Sequence, residues 1–243
     1  MKTRTHTLQL IFAVTALAIL SLVTSGAVQP SASRHTVLLI GDSMMKAMAP
    51  TLEQKFATDG WDVKSFAAIG TGLARLDLYD WIAKATTVAS SEKADVAVIM
   101  MGANDNQPMR TGNGIVRQDA TDWQKEYTSR VTNFVETLLK NGVKHVVWVE
   151  LPAMRDNKLN ADVQGINIAA REAVVRCRQV WFETRVILSR TSDGAYSAYV
   201  IQPNGMPLRI RAEDGVHLNS KGAEWLADKL VPAVRRVFDR ITR

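Results

Sequence analysis

The chain has 243 residues, of which 47% are apolar and 22% charged, with one cysteine and a formal charge of +6. This composition excludes a disulfide-stapled miniprotein and a low-complexity chain; no repeat at solenoid periods and no basic stripe interleaved with aromatics is present. One large domain, or one domain with a short appendage, is expected, with a mildly basic surface suited to an anionic envelope and no nucleic-acid partner.

The N-terminal segment stands apart. Lys2, Arg4 and His6 precede an uncharged, mostly apolar run from Leu8 to Val23, followed by the small residues "TSGA" and then Pro30. Basic, apolar and small-residue regions in that order are the parts of a secretory signal. Cleavage after Ala27 gives a signal peptide over residues 1–27, a linker over 28–35 and a domain over 36–243. The apolar run of 16 residues is shorter than the ~20 that span a bilayer; an uncleaved anchor, with membrane proximity, is the competing reading. Either way the domain is expected outside the cytoplasm, periplasmic or secreted, and Lys2 and Arg4 leaving with the signal would lower the charge to +4.

Beyond that segment, apolar runs and amphipathic stretches alternate. "TVLLI" reads as a buried strand ending at Gly41-Asp42-Ser43, where Ser43 is either a helix cap or something more. A helix follows to Gly60, an alternating strand over 61–70, a helix over 78–93 and a strongly apolar strand within 94–105. Trp123, Tyr127, Val131, Phe134, Val135 and Leu138 fall at helical spacing, stopped by Asn141-Gly142. Next come a strand over 143–152, a helix over 161–178 with Cys177 as a small core residue, and strand composition over 180–189. "YVIQ-PNG-MPLRIR" reads as a hairpin, and a final helix runs over 220–238 with Pro232 expected to kink or restart it. Strands apolar on both faces, alternating with helices, predict an α/β domain with a parallel sheet covered on both sides.

In such sheets sites form where loops leave the carboxyl ends of the strands. There the chain places Gly41-Asp42-Ser43, Gly70-Thr71-Gly72, Gly102-Ala103-Asn104-Asp105, Glu150 to Ala153, and "EDGVHLNSKG" before the last helix. A serine needs a base to become a nucleophile. Of the four histidines, only His217 lies in a polar loop at that edge, with Asp214 three residues before it. Ser43, His217 and Asp214 can therefore fill nucleophile, base and orienting roles. The Ser43 N–H, a glycine N–H of the second loop and the Asn104 amide are candidate oxyanion donors. Arg75, Asp77, Asn106, Gln107 and Arg211 flank the expected cleft as candidates for a polar acyl acceptor. Met44, Met45, Met48, Met100 and Met101 are candidates for an acyl pocket or the core.

"IGDSMMKAM", "AAIGTGL", "MMGANDNQ" and "DGVHLNSKG" resemble, in this chain order, the four blocks of the SGNH hydrolase superfamily, the GDSL-type esterases and lipases. The resemblance implies Ser43 as nucleophile, His217 as base and Asp214 as its partner. It also implies an oxyanion hole of Ser43, Asn104 and Gly72, with Gly70 as competitor. A three-layer α/β/α sandwich with a parallel, flavodoxin-like sheet is implied too, the β-hairpin being an insertion before the last helix, with no metal or organic cofactor. "GTGLARLDLYDW", "GANDNQ" and "LRIRAEDGVHL" further resemble an exported bacterial subgroup of unassigned function. Two departures are Phe66 or Ala67 where many relatives carry Asn, and Met44-Met45 after the serine. The reaction expected is removal of small O-acyl groups, such as acetyl, from envelope or secreted polysaccharide. An O-acyltransferase using the same triad and a non-catalytic subunit of a polysaccharide machine are the alternatives.

Overall fold

A computed structural model describes residues 35–118 and 120–239; the signal peptide and most of the linker read from the sequence lie outside these residues. In chain order the elements are β1 (Thr36–Gly41), α1 (Ser43–Thr58), β2 (Asp62–Ala67), α2 (Trp81–Glu92) and β3 (Val96–Met100). Then come β4 (Met109–Thr111), β5 (Gly114–Val116), α3 (Trp123–Lys140), β6 (His145–Val149) and α4 (Asn157–Arg176). The chain ends with β7 (Val180–Phe182), β8 (Tyr199–Ile201), β9 (Pro207–Arg209) and α5 (Ser220–Asp239).

Five strands form one parallel sheet in the order β2-β1-β3-β6-β7. Helices α1 and α5 pack together, and α2, α3 and α4 pack as a row, giving the three-layer α/β/α sandwich. Burial from both sides explains the continuous apolar strands: Val37 to Ile40 and Val96 to Met100 are all buried. The five methionines flagged in the sequence are core residues, each no more than 1% exposed.

The hairpin forms as expected, β8 against β9, with Gly205 turning at φ +81°. Several details differ from the sequence reading. The strand expected over 180–189 stops at Phe182, because the Glu150 carboxylate takes the Thr184 and Arg185 N–H groups at 2.8 and 3.1 Å. Backbone donors satisfied by a carboxylate need no strand partner, and a Leu188 N–H to Thr184 O bond closes a turn instead. Pro232 lies inside α5, which runs unbroken on both sides of it. Helix α4 begins at Asn157 rather than 161, since the Asp156 side chain caps the Leu159 N–H. A second small hairpin, β4–β5, pairs Thr111 with Gly114 across Gly112-Asn113. Cys177 ends α4 and is only partly buried.

Candidate active site

The chain reverses its direction of travel across the sheet between β1 and β3, the place where open α/β sheets hold ligands. Ser43 leaves β1 there and Asn104 follows β3. Gly41 is required by the close approach of these strands: a Cβ on it would lie 2.0 Å from Met100 O. The cap of α1 is Asp42, not Ser43: Asp42 Oδ1 accepts the Met44 N–H at 2.8 Å. Ser43 is the first helical residue, so its hydroxyl is free of capping duty.

That hydroxyl meets His217. Ser43 Oγ lies 2.8 Å from His217 Nε2, and His217 Nδ1 lies 2.6 Å from Asp214 Oδ2. The other Asp214 oxygen accepts the Val216 and His217 N–H groups at 2.8 and 3.0 Å. Burial acts to raise the Asp214 pKa, but the bonds from the His217 ring and these two N–H groups outweigh it and hold it at about 2. The carboxylate is thus ionised whenever the imidazole needs orienting.

Two buried carboxylates fix the loops around this relay. Asp42 Oδ2 accepts the Gly102 and Ala103 N–H groups at 2.9 and 3.1 Å, tying the first loop to the third. Burial raises the Asp42 pKa to about 6, against the pull of its backbone donors and with help from the charge of Asp105. Asp105 takes the Leu73 and Ala74 N–H groups at 2.9 and 2.8 Å and the Tyr127 Oη proton at 2.7 Å, tying the second loop to the third. Burial also pushes the Asp105 carboxyl up, opposed by these donors. Arg130 grips the same loop from beneath, donating to the Leu73 and Ala74 carbonyls at 3.0 Å each and to Arg110 O.

Asn104 Nδ2 donates to Thr71 O at 3.0 Å, which joins loops two and three; its other hydrogen has only Asp42 Oδ2 at 3.5 Å. Gln107 Nε2 donates to Asn104 O at 2.5 Å, and Trp123 Nε1 to Gln107 O at 2.9 Å, so Gln107 stiffens the Asn104 turn. Asn106 reaches Asp162 Oδ2 at 3.4 Å on α4. Gly72 is buried against Asp105, whereas Gly70 is exposed with φ +73°. Among the described residues, neither the Ser43 nor the Gly72 N–H donates to a protein acceptor.

Two of the candidate cleft residues sit differently from expectation. Arg75 is held bidentately by Asp77 at 2.8 and 2.9 Å. Arg211 is 1% exposed and lies beneath the cleft. Its guanidinium donates to Ala153 O, Gly215 O and Val216 O at 2.8, 3.2 and 2.8 Å and lies over the Tyr196 ring. An arginine that precedes a polar turn reads as a rim residue, but here three carbonyls draw it inward. Burial lowers its pKa to about 10, and it stays charged at neutral pH. The sequence reading missed Asp105, Tyr127 and Arg130 as a unit, because Tyr127 meets Asp105 across 22 residues and Arg130 meets Leu73 across 57.

The fold is that of the GDSL-type, or SGNH, hydrolases. A carbohydrate acetylesterase from Sinorhizobium meliloti superposes with a TM-score of 0.56 at 16% identity, covering 84% of this chain and 100% of that one. A psychrotrophic esterase from Pseudoalteromonas gives 0.57 at 13%, covering 84% and 99%. A variant of an acetyl xylan esterase from Geobacillus stearothermophilus gives 0.51 at 17%, covering 79% and 91%. The chain itself belongs to the family described as DUF459, protein of unknown function, which matches residues 36–233. No curated protein sequence matches it.

Proposed function

We propose that the protein is an exported serine esterase that removes small O-acyl groups, acetyl foremost, from envelope or secreted polysaccharide. The observation that carries this reading is the relay from Asp214 through His217 to Ser43, with hydrogen bonds of 2.6 and 2.8 Å. The carbohydrate acetylesterase and acetyl xylan esterase among the structural neighbours support a sugar ester. The signal-like composition of residues 1–27 supports export.

In this reading Ser43 Oγ attacks the acyl carbonyl as His217 Nε2 takes its proton. The Ser43 N–H, the Gly72 N–H and the weakly engaged hydrogen of Asn104 Nδ2 receive the developing oxyanion. Collapse expels the sugar alkoxide, which takes the proton back from His217. Water, deprotonated by the same imidazole, then releases the acid and restores Ser43.

Hydrolysis of p-nitrophenyl acetate by the purified protein tests this. Ser43→Ala and His217→Ala should each lower kcat by a factor of about 10⁴ or more. Wild-type rates in both variants would overturn the reading. Transfer of acetyl to an oligosaccharide without accompanying hydrolysis would assign an acyltransferase instead.

A further inference from the structure

We propose that Arg155 forms a carboxylate subsite on the alcohol side of the cleft, so that the preferred substrate is an O-acyl ester of an acidic sugar, a uronosyl unit of a polysaccharide. This inference rests on the esterase reading above.

Arg155 is exposed and directly follows the buried segment that leaves β6. Its backbone N–H donates to Gly215 O at 3.1 Å, which anchors it to the turn carrying Asp214 and His217. Its side chain then folds across Gly215. A Cβ on that glycine would lie 2.5 Å from Arg155 Cβ, 2.7 Å from Nε and 3.0 Å from Cζ. Gly215 also has φ +75°, so the turn needs glycine both for its backbone and as the seat of this arginine.

The guanidinium so placed has no hydrogen bond or ion pair among the described residues. Arg75, Arg130 and Arg211 all spend theirs on protein acceptors. Asp214, in the same turn, does not pair with Arg155; its two oxygens take the His217 ring and two backbone N–H groups. What remains is a fixed stem carrying a free fork of donors, the geometry that binds carboxylate through two parallel bonds.

The position selects the side. The leaving alkoxide must stand against His217 Nε2 to recover its proton, so the sugar lies on the side of the 214–217 turn. The carbonyl oxygen faces the loops that leave β1, β2 and β3. A carboxylate reached by Arg155 therefore belongs to the alcohol, not to the acyl group. Three residues further along, Lys158 on the first turn of α4 lines a hollow of about 370 Å³ with Gln118, Trp123, Gln124 and Asp162, a mixed apolar and polar surface.

The test compares kcat/KM for a methyl O-acetyl-galacturonide and the matching O-acetyl-galactoside. The wild type should prefer the acidic ester at least ~10-fold, through KM, with the preference shrinking as salt is added. Arg155→Gln should collapse the ratio towards one, and Arg155→Lys should restore part of it. No preference in the wild type, or equal loss on both esters in Arg155→Gln, overturns the proposal; the second outcome would mean that Arg155 only packs on Gly215. Selective loss on an O-succinyl-galactoside overturns the assignment to the alcohol side. Calorimetric binding of the acidic ester to Ser43→Ala protein, weakened at least ~10-fold by adding Arg155→Gln, reads the subsite apart from turnover. Absence of Ser43-dependent hydrolysis of any ester, p-nitrophenyl acetate included, overturns the esterase reading itself.

Discussion

Gly72 and Asp105 are fitted to each other: a Cβ on the glycine would lie 2.1 Å from Asp105 Oδ1. The same carboxylate holds the next two N–H groups, of Leu73 and Ala74. Close approach, not backbone conformation, is what demands glycine here, and it leaves the Gly72 N–H without a protein acceptor. Gly70 is the opposite case, with φ +73° and open space where its Cβ would be.

The two glycines should therefore separate by mutation. Gly72→Ala should cost ~1–3 kcal/mol through overpacking and lower kcat on p-nitrophenyl acetate ~10²-fold by moving an oxyanion donor. Gly70→Ala should cost ~1–2 kcal/mol in left-handed strain and leave kcat within a few-fold. A larger fall in kcat for Gly70→Ala would exchange the roles of the two.

Asp42 should leave a signature in stability against pH. Its folded pKa, raised from 3.8 to about 6, means that the folded state holds the proton more tightly than the unfolded state between those values. Its contribution is then most favourable below pH 4 and declines by ~3 kcal/mol as pH rises through 6. Urea unfolding of wild type and Asp42→Asn at pH 4 to 7 isolates it. The stability of wild type relative to the variant should fall across that range, and a flat or rising difference would contradict the assignment.

Asp214→Asn should lower kcat by a factor of about 10³–10⁴ with little change in KM, because an amide orients the imidazole with the wrong tautomer. Since the Asp214 pKa lies at about 2, below the ordinary carboxylate range, its bonds stabilise the fold above that range and are lost as pH falls towards 2. Thermal melting of wild type should therefore drop more steeply than that of Asp214→Asn as pH falls from 4 to 2.

Arg211→Lys keeps a positive charge but cannot span three carbonyls. Loss of one or two charge-assisted bonds in a buried site should cost ~3 kcal/mol in chemical unfolding. The same variant should lower kcat, since the released carbonyls of Gly215 and Val216 flank the base. Unchanged stability would argue that the lysine finds equal partners.

The legible part of this molecule was the part written in local chemistry. Apolar runs closed by glycine marked β1 and β3, and the "DGVHL" and "GAND" clusters marked the loops that carry His217 and Asn104. Thr111-Gly112-Asn113-Gly114 was a readable hairpin signal for β4–β5, hidden only by its short three-residue strands. What stayed hidden was long-range. "TRVIL" after β7 has strand composition, yet Glu150, more than thirty residues earlier, captures the N–H groups of its first two residues, Thr184 and Arg185. Tyr127 has the spacing of a core residue, and only the fold turns its hydroxyl onto Asp105. Nor does the sequence distinguish Arg211, drawn inward by carbonyls, from Arg155, left outside.

Arg211 grips Ala153 O on one loop and Gly215 and Val216 on another, while Arg155 N–H closes on Gly215 O from the first. The segment after β6 and the segment bearing the base are in effect riveted into one body. A graft or insertion in either, made to reshape what the cleft accepts, would swing the bearing of His217 as well. On this side of the cleft, substrate range and the aim of the imidazole are inherited together, and a redesign would have to exchange both loops as a pair.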